Sequence, residues 1–113
     1  MAGSISIGTV DSHPVGNGLG KANALGAFTV EGVFTYSVRG NVFVRCVCIQ
    51  PNGTPEYFDS GPYTPDPNGG ARPWRTPCNP TGYINSIPLS AHLLAADKTT
   101  ALADPDGGYR VTL

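Results

Sequence analysis

Apolar and polar residues alternate almost without a break between Phe28 and Ile49. In the first half of this stretch the even positions are apolar or glycine, and the odd positions are polar except Val33. The alternation resumes after residue 41 with Val42, Val44, Cys46 and Cys48. Successive side chains of a strand point to opposite faces, so this period of two predicts β-strands and constrains the fold more than any other feature.

The two alternating runs predict a β-hairpin. A three-residue loop at residues 39–41 keeps all the even-numbered apolar side chains on one face, whereas a two-residue loop would mix the faces. Asn41 can adopt the left-handed conformation that such loops need. The predicted cross-strand pairs are Val38 with Val42, Tyr36 with Val44, and Phe34 with Cys46.

The second of these strands is apolar on both faces. Phe43, Val47 and Ile49 lie on the side opposite to Val44 and its even-numbered neighbours. We therefore expect either a central strand that is covered on both sides, or a strand whose second face meets another subunit.

The composition is typical of a turn-rich β protein with a sparsely charged surface. The chain has 113 residues, with 15 glycines and 11 prolines, and only 13% of its residues are charged, about half of the usual ~25%. A surface with so few charges suits partial coverage by a partner, and the alternative is that Ser, Thr, Asn and Gly residues solvate it. The net charge of −1 and the scattered basic residues argue against nucleic-acid binding.

Residues 1–26 are predicted to form an N-terminal strand and a glycine-rich arm, and residues 27–113 the β-sandwich core of one domain. Ile5, Ile7 and Val10 indicate the strand, and the segment 13–21 is too rich in glycine for regular structure, so it is expected to be a loop or a mobile arm. This arm does not match a phosphate-binding loop, because Val15 and Ala22 stand where glycine and a magnesium-binding hydroxyl are required.

The segment from Ser60 to Pro80 contains six prolines, and we predict one long, ordered loop there because proline cannot donate to a sheet. It follows a tight turn around Asn52-Gly53 and a short strand, Glu56–Asp59. Further along, Tyr83–Leu89 is predicted to be a strand. Residues 90–103 fit either a helix or a pair of strands, and the chain ends in a strand from Tyr109 to Leu113.

These elements together predict an all-β, single-domain, antiparallel two-sheet sandwich of about seven strands with a long Pro/Gly-rich loop. It is similar to immunoglobulin-like modules in architecture only. The Cys–Trp–Cys pattern of antibody domains is not reproduced, because Cys46 or Cys48, Trp74 and Cys78 have a different spacing.

The cysteines Cys46, Cys48 and Cys78 form a candidate thiol cluster. Cys46 and Cys48 lie two apart on one strand and so share a face, and Cys78 can reach either of them to form one disulfide. Reduced, buried thiols are the leading interpretation. No metal site is predicted, since Cys-x-Cys on a strand is not a usual zinc motif.

The best binding candidates are Tyr63, Arg72, Trp74 and Arg75 in the Pro-rich segment. A tryptophan beside arginines on an ordered loop can stack on a flat ligand or anchor a protein interface. The alternative is a Trp74 side chain that folds back onto the core. No cofactor is implied, and no catalytic motif such as Gly-x-Ser-x-Gly is present.

The sequence thus predicts a non-enzymatic structural or interaction module that docks on a larger assembly, such as a decoration or cement protein of a bacteriophage virion. Protein partners or self-association are expected, without nucleic acid or membrane. The alternative is a β-sandwich that binds a carbohydrate or another small ligand through Trp74. The N-terminus lacks the pattern of a signal peptide, so synthesis in the cytoplasm is expected. Association with a virion is expected from the docking hypothesis, by analogy of architecture.

Overall fold

The computed structural model describes residues 2–24, 26–81 and 86–113. These ranges contain no helix, which confirms the all-β class, and therefore none that could cross a lipid bilayer. Their nine strands are β1 (Gly3–Val10), β2 (His13–Pro14), β3 (Leu19–Lys21), β4 (Phe28–Tyr36), β5 (Val42–Ile49), β6 (Pro55–Tyr63), β7 (Arg72–Cys78), β8 (Ser86–Ala95) and β9 (Asp106–Thr112).

The strands form two sheets. The four-stranded sheet has the order β2-β1-β4-β7, and the five-stranded sheet has the order β3-β9-β8-β5-β6. Buried side chains from both sheets build one hydrophobic core, as expected for a sandwich-like fold. The prediction of about seven strands is too low, because the short strands β2 and β3 give no alternation signal and β7 lies in the segment that was predicted to be a loop.

The predicted hairpin between the two alternating runs is wrong. β4 and β5 lie in different sheets, and residues 37–41 connect one sheet to the other. β4 pairs with β1 and β7, whereas β5 pairs with β6 and β8. The even-numbered side chains still face the core, since Phe34 and Val42 are both fully buried. Alternation determines which face is buried but not which strands pair, so both arrangements fit the same pattern.

One strand pairing departs from the expected antiparallel sandwich. β3 runs parallel to β9, with Gly20 opposite Val111. The segment 13–21, expected to be a loop or an arm, thus contains two short paired strands. Glycine at position 20 is needed for close packing, because a Cβ there would lie 2.8 Å from Cγ2 of Val10.

Two edge strands occupy most of the segment Ser60–Pro80, so the prediction of one long loop is wrong. β6 ends at Tyr63 and β7 begins at Arg72, which leaves residues 64–71 as the connection. β6 is the edge of the five-stranded sheet, and β7 is the edge of the four-stranded sheet. An edge strand tolerates proline when the missing N–H would have pointed away from the sheet.

The C-terminal third of the chain is extended. Residues 90–103 are not helical. β8 continues to Ala95, and in place of a second strand an isolated bridge joins Leu94 to Ala101. The strand predicted for Tyr83–Leu89 is confirmed from residue 86 onward, and residues 83–85 lie outside the described ranges. β9 confirms the final predicted strand.

Asp106 links the two sheets near the start of β9. Its Oδ2 accepts a hydrogen bond from the Ile7 N–H of β1 (2.8 Å) and another from the Tyr109 hydroxyl (3.0 Å). The strand register shifts just after Ile7, where a β-bulge leaves a backbone donor unpaired. The carboxylate satisfies that donor, so a side chain of one sheet stabilises an irregularity in the other.

Candidate interaction surface

Trp74 lies in the hydrophobic core. It is only 2% exposed, and its Nε1 donates a hydrogen bond to the Val33 carbonyl (3.2 Å). The indole packs against the backbone of Gly32, where a Cβ would lie 2.8 Å from the ring. This burial favours the core interpretation that the sequence left open, and it leaves no indole face on which a ligand could stack.

Tyr63 joins β6 to β7 through its hydroxyl group. The hydroxyl accepts the Arg75 N–H (3.0 Å), and it can donate to Ser60 Oγ (2.9 Å) or to the Arg75 carbonyl (3.2 Å). Ser60 Oγ in turn lies 2.8 Å from Oγ1 of the buried Thr76. This chain of polar contacts connects the edges of the two sheets and satisfies a hydroxyl inside the core.

The four predicted binding residues do not form one continuous surface. Trp74 points inward, whereas the side chains of Arg72 and Arg75 are exposed on β7. The Tyr63 hydroxyl contacts the backbone N–H of Arg75 and not its guanidinium group. Within the described ranges no ion pair is recorded for either arginine.

The outer edge of β7 has no free backbone donor. Alternate residues of a strand direct their N–H groups to the same side, and the Arg75 N–H points away from β4 to Tyr63. Pro73 and Pro77 occupy the equivalent positions on either side and have no N–H. Two prolines and one tyrosine hydroxyl therefore block this edge against pairing with another strand.

The outer edge of β6 is open by contrast. In β8 the carbonyl of Leu93 points away from β5, because it accepts the N–H of Leu102. Alternate residues direct their backbone groups to opposite edges of a strand, so the even-numbered residues of β8, such as His92, bond to β5. Their partners are the odd-numbered residues of β5, and His92 lies opposite Arg45. The even residues of β5 are left to bond to β6, which agrees with the Gln50 N–H bond to the Thr54 carbonyl (2.9 Å) in the turn.

The odd residues of β6 consequently direct their backbone groups to solvent. Pro55 fits this assignment because it has no N–H to offer. The N–H groups of Tyr57 and Asp59 point outward, and no hydrogen bond is recorded for either of them in the described ranges. We call the backbone and side chains of Tyr57 and Asp59, together with the adjacent Arg45, the β6 surface.

An aromatic side chain and an ion pair flank this open edge. Tyr57 is 59% exposed, the highest value among the large hydrophobic side chains described. Arg45 forms a two-pronged ion pair with Asp59, at 2.8 and 3.0 Å, and its guanidinium lies 4.9 Å from the centre of the Tyr57 ring. The bond from Arg45 lowers the pKa of Asp59, so the pair is charged at neutral pH.

The outer face of β5 is covered only in part. Phe43, Val47 and Ile49 are half-buried, and the Lys98 ammonium group lies 4.6 Å from the centre of the Phe43 ring. Long cationic side chains thus shield a face that the sequence predicted to be apolar on both sides. Within the described residues no further layer of backbone packs over it.

Ser90 and His92 form a hydroxyl–imidazole pair beside Arg45. Ser90 Oγ lies 2.9 Å from His92 Nε2. Burial lowers the pKa of His92 from its ordinary value, and the Arg45 guanidinium lowers it further. In the described part of the chain no carboxylate bonds to this imidazole, as a catalytic triad would require.

The candidate thiols lie together in the core, and all are free. Cys46 and Cys48 point inward from β5, and Cys78 points inward from β7 of the other sheet. Hydrogen bonds with Cys46 and Cys48, together with burial, raise the pKa of Cys78, so it stays a thiol at physiological pH. Cys78 also lines a surface depression of about 340 Å³. The described residues contain no group of acidic, histidine or cysteine side chains arranged to hold a metal ion.

Arg45, Tyr57 and Asp59 are not among the predicted binding residues, although the sequence carries a signal for them. A three-residue hairpin loop at residues 51–53 places Arg45 opposite Asp59 and Val47 opposite Tyr57, and these pairs are observed. Opposite charges on facing positions of adjacent strands are expected to pair. His92 does not stand out by itself in the sequence, whereas on a strand it shares a face with Ser90, two residues earlier.

No protein-family model matches this chain, and no curated protein matches it at a significant level.

Proposed function

We propose that this protein is a non-enzymatic structural or interaction module that docks on a larger assembly, such as a decoration or cement protein of a bacteriophage virion. The observation that carries the proposal is the open edge of β6 beside the exposed Tyr57. An exposed strand edge binds an extended partner segment through backbone hydrogen bonds, and flanking side chains supply specificity.

The contrast between the two edge strands supports a docking role. Proteins usually block the edges of their sheets, because open edges pair with other chains. β7 is blocked by Pro73, Pro77 and the Tyr63 hydroxyl, whereas β6 keeps two adjacent outward donors. The charged fraction of 13% also suits a chain whose surface is partly covered after assembly.

The order of the strands supports a finer proposal, an immunoglobulin-like sandwich. In that architecture strands A, B and E are neighbours in one sheet, and G, F and C are neighbours in the other, with C′ beside C in variable-type domains. Here β1-β4-β7 corresponds to the first series, and β9-β8-β5-β6 corresponds to the second. In this arrangement β6 takes the place of C′ at the sheet edge.

The side chains near the β6 surface support binding rather than catalysis. Ser90 and His92 lie on the outer face of a sheet, and the three surface depressions described are lined by other residues. A carbohydrate-binding module built on Trp74 remains the alternative prediction, but a buried indole provides no stacking surface for a sugar.

The test is a co-sedimentation experiment with virus particles. A virus-producing culture that encodes the chain is fractionated on a density gradient, and the chain is quantified against the major shell protein. We expect a fixed ratio in the particle fraction. Replacing the wild type with Tyr57→Lys should reduce that ratio, whereas Val33→Lys, at a 44% exposed position on the other sheet, should not. Recovery of the wild type only among free proteins would contradict the proposal.

A further inference from the structure

The geometry of the β6 surface points to a specific occupant, a second copy of this chain that pairs β6 with β6 around a two-fold axis. The inference rests on the proposed function, because it names the segment that occupies the docking edge, β6 of a second copy within the same assembly. Pairing of this kind joins the five-stranded sheets of the two copies into one continuous antiparallel sheet. The arrangement is isologous, so each residue must tolerate its own symmetry-related neighbours.

The backbone of β6 limits pairing to a short central segment. Pro55 lacks an N–H, and Gly61-Pro62 interrupts the strand beyond Ser60 with a positive φ of 123° at Gly61. The free donors between these limits belong to Tyr57 and Asp59. A two-fold axis that passes beside Tyr57 uses both donors. Pro55 then acts only as an acceptor, and Pro62 lies outside the paired segment.

The register that follows is self-complementary. The Tyr57 backbones of the two copies face each other and exchange both N–H···O=C bonds, as in the hydrogen-bonded pair of an antiparallel ladder. Each Asp59 N–H then donates to the Pro55 carbonyl of the other copy. The ladder ends at this pair, because Pro55 has no N–H and the partner strand is interrupted by Gly61-Pro62 just beyond Ser60.

The side chains are compatible with this register. The two Tyr57 rings stand side by side on the same face, and burial of their 59% exposed surface contributes the apolar centre of the contact. The Asp59 carboxylates lie four residues apart along the ladder, about 14 Å at 3.4 Å per residue, which is beyond the Debye length in physiological salt. Each carboxylate is also paired with its own Arg45, so no like charges meet.

Charges introduced at Tyr57 test this register directly. Sedimentation velocity and light scattering of the full chain over a wide concentration range should show a monomer–dimer equilibrium. Tyr57→Lys and Tyr57→Glu each place like charges opposite each other on the axis, so each should raise the dimer dissociation constant by about tenfold. An equimolar mixture of the two variants should recover the wild-type constant, because the opposed charges are then complementary. Val33→Lys serves as the control that should not change the equilibrium.

The outcomes separate the dimer from the docking function. A monomer at every concentration, or a dimer that Tyr57→Lys leaves intact, overturns the two-fold pairing. Failure of the mixed variants to associate also overturns it, and a circular dichroism spectrum identical to that of the wild type shows that each variant is folded. A monomer that still co-sediments with particles rejects only the dimer. A dimer that never co-sediments rejects only the docking function.

Discussion

A core placement of Trp74 and a ligand-binding role for it predict different solvent exposure of the indole. As the single tryptophan, 2% exposed, it should show blue-shifted fluorescence and an iodide quenching constant several-fold lower in the native state than in urea. Trp74→Ala should lower the free energy of unfolding by about 3–5 kcal/mol, the usual cost of truncating a buried aromatic side chain. Efficient quenching of the native protein, or a stable Trp74→Ala variant, would contradict the core placement.

His92 provides a pH test at the same scale. Burial and Arg45 lower its pKa in the folded state from the ordinary value of 6.5, so the unfolded chain binds the proton more tightly. Stability should therefore fall as the pH drops from 6.5 toward the lower folded-state value. His92→Gln can still bond to Ser90 but does not titrate.

The measurement for His92 is urea unfolding at about pH 7.5 and about pH 5.5. The wild type should lose more of its free energy of unfolding between these values than His92→Gln does. Equal losses in the two proteins would show that the folded environment of His92 does not disfavour its charged form.

At the scale of the strand, the sequence predicts faces better than partners. The alternation around Phe34 and Val42 identifies the buried side chains correctly, yet the two strands belong to different sheets. Pairing depends on where the whole chain places each strand, and the five residues between β4 and β5 fit either a loop within one sheet or a connection between sheets.

The prolines of the segment Ser60–Pro80 led to the prediction of a loop, although prolines are also compatible with an edge strand. Pro73 and Pro77 exclude a central strand, but their spacing puts both missing N–H groups on the same side. The two prolines and Arg75 are exposed, and they alternate with the buried Trp74, Thr76 and Cys78. Regularly spaced prolines that alternate with inward residues indicate a blocked edge strand, so this part of the fold could have been predicted.

The blocked edge of β7 can be opened by substitution of its two prolines. The double substitution Pro73→Thr with Pro77→Thr restores two outward N–H groups without removing a bond to β4. The free energy of unfolding should fall by about 1–2 kcal/mol, because the unfolded chain gains freedom at both sites. Self-association measured by light scattering should rise, since a longer edge becomes available. Pro67→Thr in the connecting loop is the control, and unchanged association of the double variant would contradict the blocking role.

At the scale of the molecule, the β6 surface depends on tertiary structure that no short motif encodes. Arg45, Tyr57 and Asp59 are ordinary strand residues in the sequence. Their importance arises because β6 becomes an edge and β7, on the other sheet, becomes blocked. The thiols depend on tertiary structure in the same way, because Cys78 meets Cys46 and Cys48 only when the two sheets pack together.

The accessibility of these thiols should report how the two sheets separate. Cys46 and Cys48 are fully buried on a central strand, whereas Cys78 lines a surface depression at the sandwich edge. Maleimide should therefore label Cys78 first, through local opening, and label the other two only when the molecule unfolds globally. Low concentrations of urea should accelerate labelling of Cys46 and Cys48 more steeply, because global opening exposes more surface. Mass mapping of the labelled peptides measures each rate, and one common urea dependence for all three thiols would show instead that the sandwich opens as a single unit.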